Sequence, residues 1–110
     1  MAYTYKILGQ SLPANTNVTD LYTCPSSSAA VISQLVVCNN SAAPVTFRVS
    51  AAVAGAADAT SQYLLYDVTV DPNDTLFFDL GATLAGTDKI RVKTGTASAL
   101  SFTLFGTEIA

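Results

Sequence analysis

The sequence predicts an all-β fold: an antiparallel β-sandwich of about seven or eight strands, Greek-key or jelly-roll-like, with residues 1–110 forming a single domain. Three observations carry this. Apolar residues recur at every second position through most of the chain, the period of a half-buried strand. Clusters of Gly, Pro, Asn, Asp and Ser interrupt that pattern roughly every 8–12 residues, the spacing of a sandwich or barrel. Helix formers are scarce, with one Glu and five Lys plus Arg in 110 residues, beside many Thr, Val, Tyr and Phe. A closed barrel satisfies the same pattern and is the alternative.

The elements follow in order. Tyr3–Leu8 is a first strand, stopped by Gly9 and a Pro13-containing loop. Val18–Thr23 is a second, closed by Cys24-Pro25 and three serines. Ala30–Cys38, the longest apolar run, reads as a central strand, and the Asn- and Pro-containing stretch 39–44 turns the chain. In Val45–Val53, Val45, Phe47 and Val49 share one face, while Thr46, Arg48 and Ser50 share the other. The small residues Ala54–Ser61 suit a loop. Gln62–Val70 follows, with Leu64, Tyr66, Val68 and Val70 placed on one face. Asp71-Pro72-Asn73-Asp74 is the strongest turn signal in the chain, with Asp at the first position and Pro presetting φ at the second. It is expected to close a hairpin onto Thr75–Leu80, with Leu76, Phe78 and Leu80 inward. Gly81–Asp88 is a loop, and Lys89–Lys93 is a strand with Ile90 and Val92 inward. Thr94–Ala99 turns into a last strand, Leu100–Ile109, in which Gly106 marks a bulge or sheet end.

Composition bounds the function. Half the residues are apolar and 12% are charged, against ~25% charged in ordinary domains, so the chain is not disordered. A chain this long buries roughly 65% of its unfolded surface, enough for a core without staples. A net charge of −3 argues against a partner bound through phosphate neutralisation, so nucleic acid is not expected. No apolar run approaches the ~18 residues of a membrane-spanning helix, and no membrane partner is expected. The first residues lack the basic and apolar regions of a secretory signal, so synthesis in a reducing cytosol with free thiols is expected. Geometry agrees: the ends of a straight Ala30–Cys38 strand lie ~25–30 Å apart, with Cys24 near its start and Cys38 at its end, beyond the reach of a disulfide.

The chain contains no His, which removes the commonest general base, nucleophile activator and metal ligand together. Asp67, Asp71, Asp74, Asp79 and Asp88 fall within 22 residues. They lack the alternate oxygen spacing around a Gly that a calcium loop requires, and read as turn and surface residues. The stretch 81–88 has the glycine spacing of a phosphate loop without the Lys that reaches the phosphates. Catalytic residues, metal ligands and cofactors are therefore not expected. The Asn17, Asn39 and Asn73 sequons sit where Asn favours a turn. Lys89, Arg91 and Lys93 share one strand face. They form either a stripe for an acidic partner or cross-strand pairs with Asp67 and Asp79.

More telling is the outward face of the expected hairpin. If Leu76, Phe78 and Leu80 point in, Phe77 points out, near Tyr63 and Leu65 on the paired strand, and Phe105 joins them. Monomers rarely expose several large apolar groups together. Phe77, Tyr63, Leu65 and Phe105 are accordingly interface candidates. The competing reading makes them a second core layer beneath Ala54–Ser61.

The run Tyr5-Lys-Ile-Leu-Gly-Gln, then Thr19-Asp-Leu-Tyr-Thr-Cys-Pro25, Val36-Val-Cys-Asn39, Thr46-Phe-Arg-Val-Ser50 and Leu100-Ser-Phe-Thr-Leu-Phe-Gly106 resembles small virion structural proteins of tailed bacteriophages, frequent among cyanophages. The resemblance covers nearly the whole chain and rests on strand-and-turn patterning. It implies a non-enzymatic subunit present in many copies on the virion and does not fix its position there; the tail, baseplate or fibre region is the expectation, with capsid decoration as the alternative. The implied partners are other virion proteins and further copies of the chain, in a homo-oligomer related to a trimer or hexamer. A carbohydrate-binding module is the second class. Such sites offer aromatic platforms, and with no Trp the Tyr candidates are Tyr3, Tyr5, Tyr22, Tyr63 and Tyr66. An enzyme is the third and weakest class.

Overall fold

In the computed structural model, which describes residues 2–110, nine strands form two antiparallel sheets. They are β1 (Tyr3–Ser11), β2 (Thr19–Thr23), β3 (Ala29–Asn39), β4 (Val45–Ala52), β5 (Tyr63–Val70), β6 (Thr75–Phe78), β7 (Thr83–Leu84), β8 (Lys89–Thr94) and β9 (Leu100–Ile109). One sheet has the order β1-β9-β3-β6, with β7 also pairing β3; the other has the order β2-β8-β4-β5. Four pairs are nested like the rungs of one long hairpin: β1 with β9, β2 with β8, β3 with β6, and β4 with β5. The pairs β3·β9 and β4·β8 record where that hairpin is wound around itself. This is a jelly roll, and the sandwich expected from sequence is the observed fold.

The winding corrects one expectation. The Asp71–Asp74 turn is formed, with the Asp74 N–H donating to the Asp71 carbonyl at 3.2 Å and Asn73 at φ 56°. It does not close a hairpin: β5 pairs β4 in one sheet, and β6 pairs β3 in the other. Val68, Val70, Leu76 and Phe78 all contribute to the core. They do so from opposite walls, because two strands with one apolar face each bury it equally well side by side or face to face. Period two reports the inward face; it does not report the sheet.

A second correction concerns β5. Tyr66 and Asp67 both lie opposite Arg48, with the register shifting between Phe47↔Val68 and Val49↔Leu65 and with Asp67 at φ 51°. This β-bulge reverses the alternation. Leu65 packs against the core, while Leu64 and Tyr66, expected inside, are 46% and 54% exposed. A similar bulge at Ser33 in β3 faces the Phe105–Gly106 step of β9. There the chains approach so closely that a Cβ on Gly106 would collide with the Val31 carbonyl oxygen, which is why that position is glycine.

The core is filled by Phe47, Phe102, Ile32, Leu35, Ile90, Leu100 and Leu104, all fully buried. Phe47 stands between the sheets with edge-to-face contacts to Phe78 and Phe102, each at 5.8 Å between ring centres. Cys24 is buried, Cys38 is half-buried, and both are free thiols.

Candidate functional site

The two outer faces of the sandwich differ in chemistry. On the β2-β8-β4-β5 sheet, alternation places Lys89, Arg91, Lys93, Arg48, Asp20 and Asp67 outward, and the charges neutralise one another. Asp20 accepts from Lys89 Nζ at 2.7 Å and from Arg91 Nε at 3.1 Å. Arg48 grips Asp67 through Nε at 2.7 Å and Nη2 at 3.2 Å, and its guanidinium stacks 4.0 Å above the Tyr66 ring centre. Lys93 adds an attractive field at Asp67. The basic strand is thus paired across strands, mainly with Asp20 in place of the expected Asp67 and Asp79. Asp79 lies on the other sheet's side of the molecule, accepting from Gln34 Nε2 at 3.4 Å.

Arg91 also pins the segment between β4 and β5. Its Nη atoms donate to the carbonyls of Ala56 at 2.6 Å and Gly55 at 3.0 Å, and Asp88 accepts from the Ala54 N–H at 2.8 Å. This segment folds over the outer face and buries Ser50 and Ala52. Tyr63 sits half-buried at its end, with its hydroxyl donating to Asp58 at 3.0 Å. For Tyr63, the reading as a second layer beneath a loop is therefore the observed one.

Two further carboxylates of the Asp cluster serve the backbone. Asp74 accepts from the Thr75 N–H at 2.9 Å, and Asp88 from the Ala85 N–H at 2.9 Å. In the Asn39 sequon the amide is buried and holds together two crossings of the chain.

Ionisation of the paired carboxylates supports the fold. The Lys6 ammonium at 2.8 Å, and secondarily the Tyr22 hydroxyl at 2.6 Å, hold Glu108 below its ordinary value of 4.5. The Lys89 partnership lowers Asp20, and the Arg48 partnership lowers Asp67, from 3.8. A depressed folded-state pKa contributes stability that is complete above the unfolded value and is lost as pH falls through the folded one. The melting temperature is therefore expected to be level above about pH 5 and to decline steadily below about pH 4. Glu108→Gln should flatten part of that decline in a calorimetric pH series; an unchanged slope would show that Glu108 carries none of it.

The outer face of the β1-β9-β3-β6 sheet is nearly free of charge. Outward residues run across it in register: Tyr5–Thr107–Val31, then Ile7–Phe105–Gln34, then Gln10–Thr103–Val36–Phe77. Tyr5 is 81% exposed, Phe77 65% and Ile7 51%, whereas single exposed apolar residues are the norm on a monomer surface. Of the four residues singled out from sequence, Phe77 and Phe105 share this face. Tyr63 is on the far side of the sandwich, and Leu65 points into the core. Sequence reasoning missed Tyr5 and Ile7 as members of the face. Their signal was the alternation of large apolar residues with Thr4 and Lys6, which by itself cannot distinguish a wetted side from a buried one.

At the end of β1 lies a shallow cleft of about 350 Å³ lined by Gln10, Ser11, Leu12, Ser101, Phe102 and Thr103. None of these side chains can act as a general acid or base near neutral pH.

The sandwich is thus a jelly roll with one ion-paired outer face and one nearly uncharged outer face that exposes aromatic side chains. No family model matches the chain, and no curated protein matches it in sequence. Solved structures do match it in fold. A chain of the Bacillus endospore appendages, described as disulfide-linked pili, superposes with a TM-score of 0.58 at 10% identity, over 99% of this chain and 87% of that one. A chain from the acid-stable capsid of Helicobacter pylori bacteriophage KHP30 gives 0.56 at 15% identity, over 99% and 92%. A chain from infectious bursal disease virus strain Gx gives 0.55 at 11% identity, over 97% of this chain and 32% of that one. These likenesses define a shared fold, found in capsid and pilus structures.

Proposed function

We propose that the protein is a non-enzymatic structural subunit of a virion, present in many copies and joined to its neighbours through the outer face of the β1-β9-β3-β6 sheet. The observation that carries this reading is Phe77, a 65% exposed Phe, with Val36 in register beside it on a face that also carries Phe105, Ile7 and Tyr5 farther across the sheet. Burying one Phe contributes roughly 1.5–3 kcal/mol, which an isolated monomer forgoes and an assembled shell regains at every copy. The jelly-roll match along nearly the full length of a phage capsid chain supports a place on the head. The sequence resemblance to tailed-phage structural proteins supports the tail, baseplate or fibre region. Partners in either position are copies of this chain and other virion proteins, with threefold or sixfold arrangements as the simplest closed forms.

Phe77→Ser is expected to leave the sandwich folded, with a melting temperature within a few degrees of wild type, and to weaken each contact roughly 10- to 100-fold. Sedimentation and particle incorporation read the loss. A folded variant that incorporates normally would overturn the assigned face. Quantitative mass spectrometry of purified particles separates the positions: hundreds of copies place the chain on the head, and small multiples of three or six place it in the tail.

A further inference from the structure

Each sheet of an open sandwich has two edges, and native proteins blunt such edges against stray pairing. Among the described residues, three of the four edges here are blunted. The β5 edge is broken by the Tyr66–Asp67 bulge, with Asp67 at φ 51°. The β2 edge is five residues long and carries a register shift between Asp20 and Tyr22. The β6 edge is four residues long, supplemented by the two residues of β7. The β1 edge is different. It is nine residues long, contains no proline, and pairs β9 without interruption from Tyr3 to Ile7.

The direction of its free hydrogen-bonding groups follows from one observation. Ala2 and Ala110 exchange both backbone bonds, at 3.2 and 2.9 Å. In an antiparallel ladder, bonded and non-bonded pairs alternate. Thr4 and Lys6 therefore direct their N–H and C=O groups toward β9, and Tyr5 and Ile7 direct theirs away from the sheet. The side chains around this edge are exposed on both faces, from Thr4 to Ile7. Its one charge, Lys6, is held by Glu108 on β9 at 2.8 Å.

We propose that β1 pairs antiparallel with β1 of a second copy of this chain, about a two-fold axis at Tyr5, so that the β1-β9-β3-β6 sheets of the two copies become continuous. In this register Tyr5 meets Tyr5, Lys6 lies opposite Thr4, and Ile7 lies opposite Tyr3. No like charges face each other, and the Tyr5 pair exchanges two backbone hydrogen bonds. The exposed acidic residues Asp71, Asp74 and Asp79 sit at and beside β6, on the far edge of the same sheet, so the chain's net negative charge does not oppose the contact. The contact is separate from the one centred on Phe77 and stands whether or not the Phe77 face binds a neighbour.

Tyr5→Pro tests it in the full chain. Proline at this position removes an N–H that points out of the sheet, so the ladder to β9 is preserved. The wild type is expected to dimerise with rising concentration in sedimentation velocity. Tyr5→Pro should weaken that dimer at least about tenfold, the loss of one outward donor per copy, with an unchanged circular dichroism spectrum. Tyr5→Cys should form an intermolecular disulfide between the two introduced residues under mild oxidation, identified by peptide mapping against Cys24 and Cys38. Phe77→Ser should leave this dimer intact. A wild type that stays monomeric at every concentration, a folded Tyr5→Pro that dimerises as wild type, or an absence of linkage at position 5 would each overturn the β1 pairing. Tyr5→Pro also removes a ring from the outer face, so the linkage at position 5, which requires β1 to meet β1, is the result that separates this pairing from a contact through the Phe77 face.

Discussion

Phe47→Ala is expected to remove most of the stability of this domain. Phe47 is 1% exposed and meets both Phe78 and Phe102 of the facing sheet edge-to-face, so its truncation opens a cavity between the two sheets. Truncating a buried Phe costs about 3–5 kcal/mol, against about 5–15 kcal/mol for a whole domain. At this chain length the melting temperature should fall by roughly 15–25 °C, read by circular dichroism. Phe47→Leu, which keeps an apolar side chain against the facing sheet, should lose less than half as much. A fall below about 5 °C for the Ala variant would mean that the two sheets do not meet through Phe47.

Asn39→Asp should be nearly as damaging, for a polar reason. The Asn39 amide nitrogen donates to the carbonyls of Ala43 at 2.9 Å, Val70 at 3.1 Å and Asp71 at 3.2 Å. Its oxygen accepts from the Ser41 N–H at 2.9 Å and the Ser41 hydroxyl at 2.7 Å. One buried side chain thus ties the β3–β4 turn to the crossing between β5 and β6. The ionised Asp presents a second oxygen to three carbonyls it cannot satisfy, and buried unpaired groups cost about 1–3 kcal/mol each. The loss at pH 7 is expected to be about 3 kcal/mol or more. Protonation restores one donor, so the new carboxyl should have a raised folded-state pKa and the variant should gain stability as pH falls from 7 toward 5. That slope is opposite in sign to the acid loss expected of the wild type. A variant whose melting temperature is independent of pH in this range would show that the side chain does not face those carbonyls.

The exposed face around Phe77 was partly legible. Phe77 stands between Leu76 and Phe78, and alternation alone places it outside if they are inside, as the structure has it. Tyr63 and Leu65 were placed beside it on the assumption that a tight turn joins neighbouring strands of one sheet. The Asp71–Asp74 turn joins strands of different sheets instead, and the bulge at Asp67 turns Leu65 inward. Neither event leaves a mark in composition: the turn has the same residues either way, and a bulge inserts one ordinary residue into an ordinary pattern. Gly106 did signal its bulge, because close backbone approach excludes every side chain, and that demand is visible in one letter.

Local chemistry determined what the sequence determines by itself. Alternation, turn residues and the near absence of helix formers establish most of the strands and most of their inward faces, while the two-residue β7, inside a stretch that reads as a loop, brings the expected seven or eight strands to nine. The missing His and the small number of cations narrow the chemistry. Which strand lies beside which was decided only in three dimensions, because the nested pairs β1·β9, β2·β8, β3·β6 and β4·β5 join residues up to the full chain length apart. Their partners are selected by burial of all the inward faces at once. Among the described residues, the same collective choice left the outward backbone groups of Tyr5 and Ile7 at a sheet edge and left Phe77 exposed, since one core can cover only one side of each sheet.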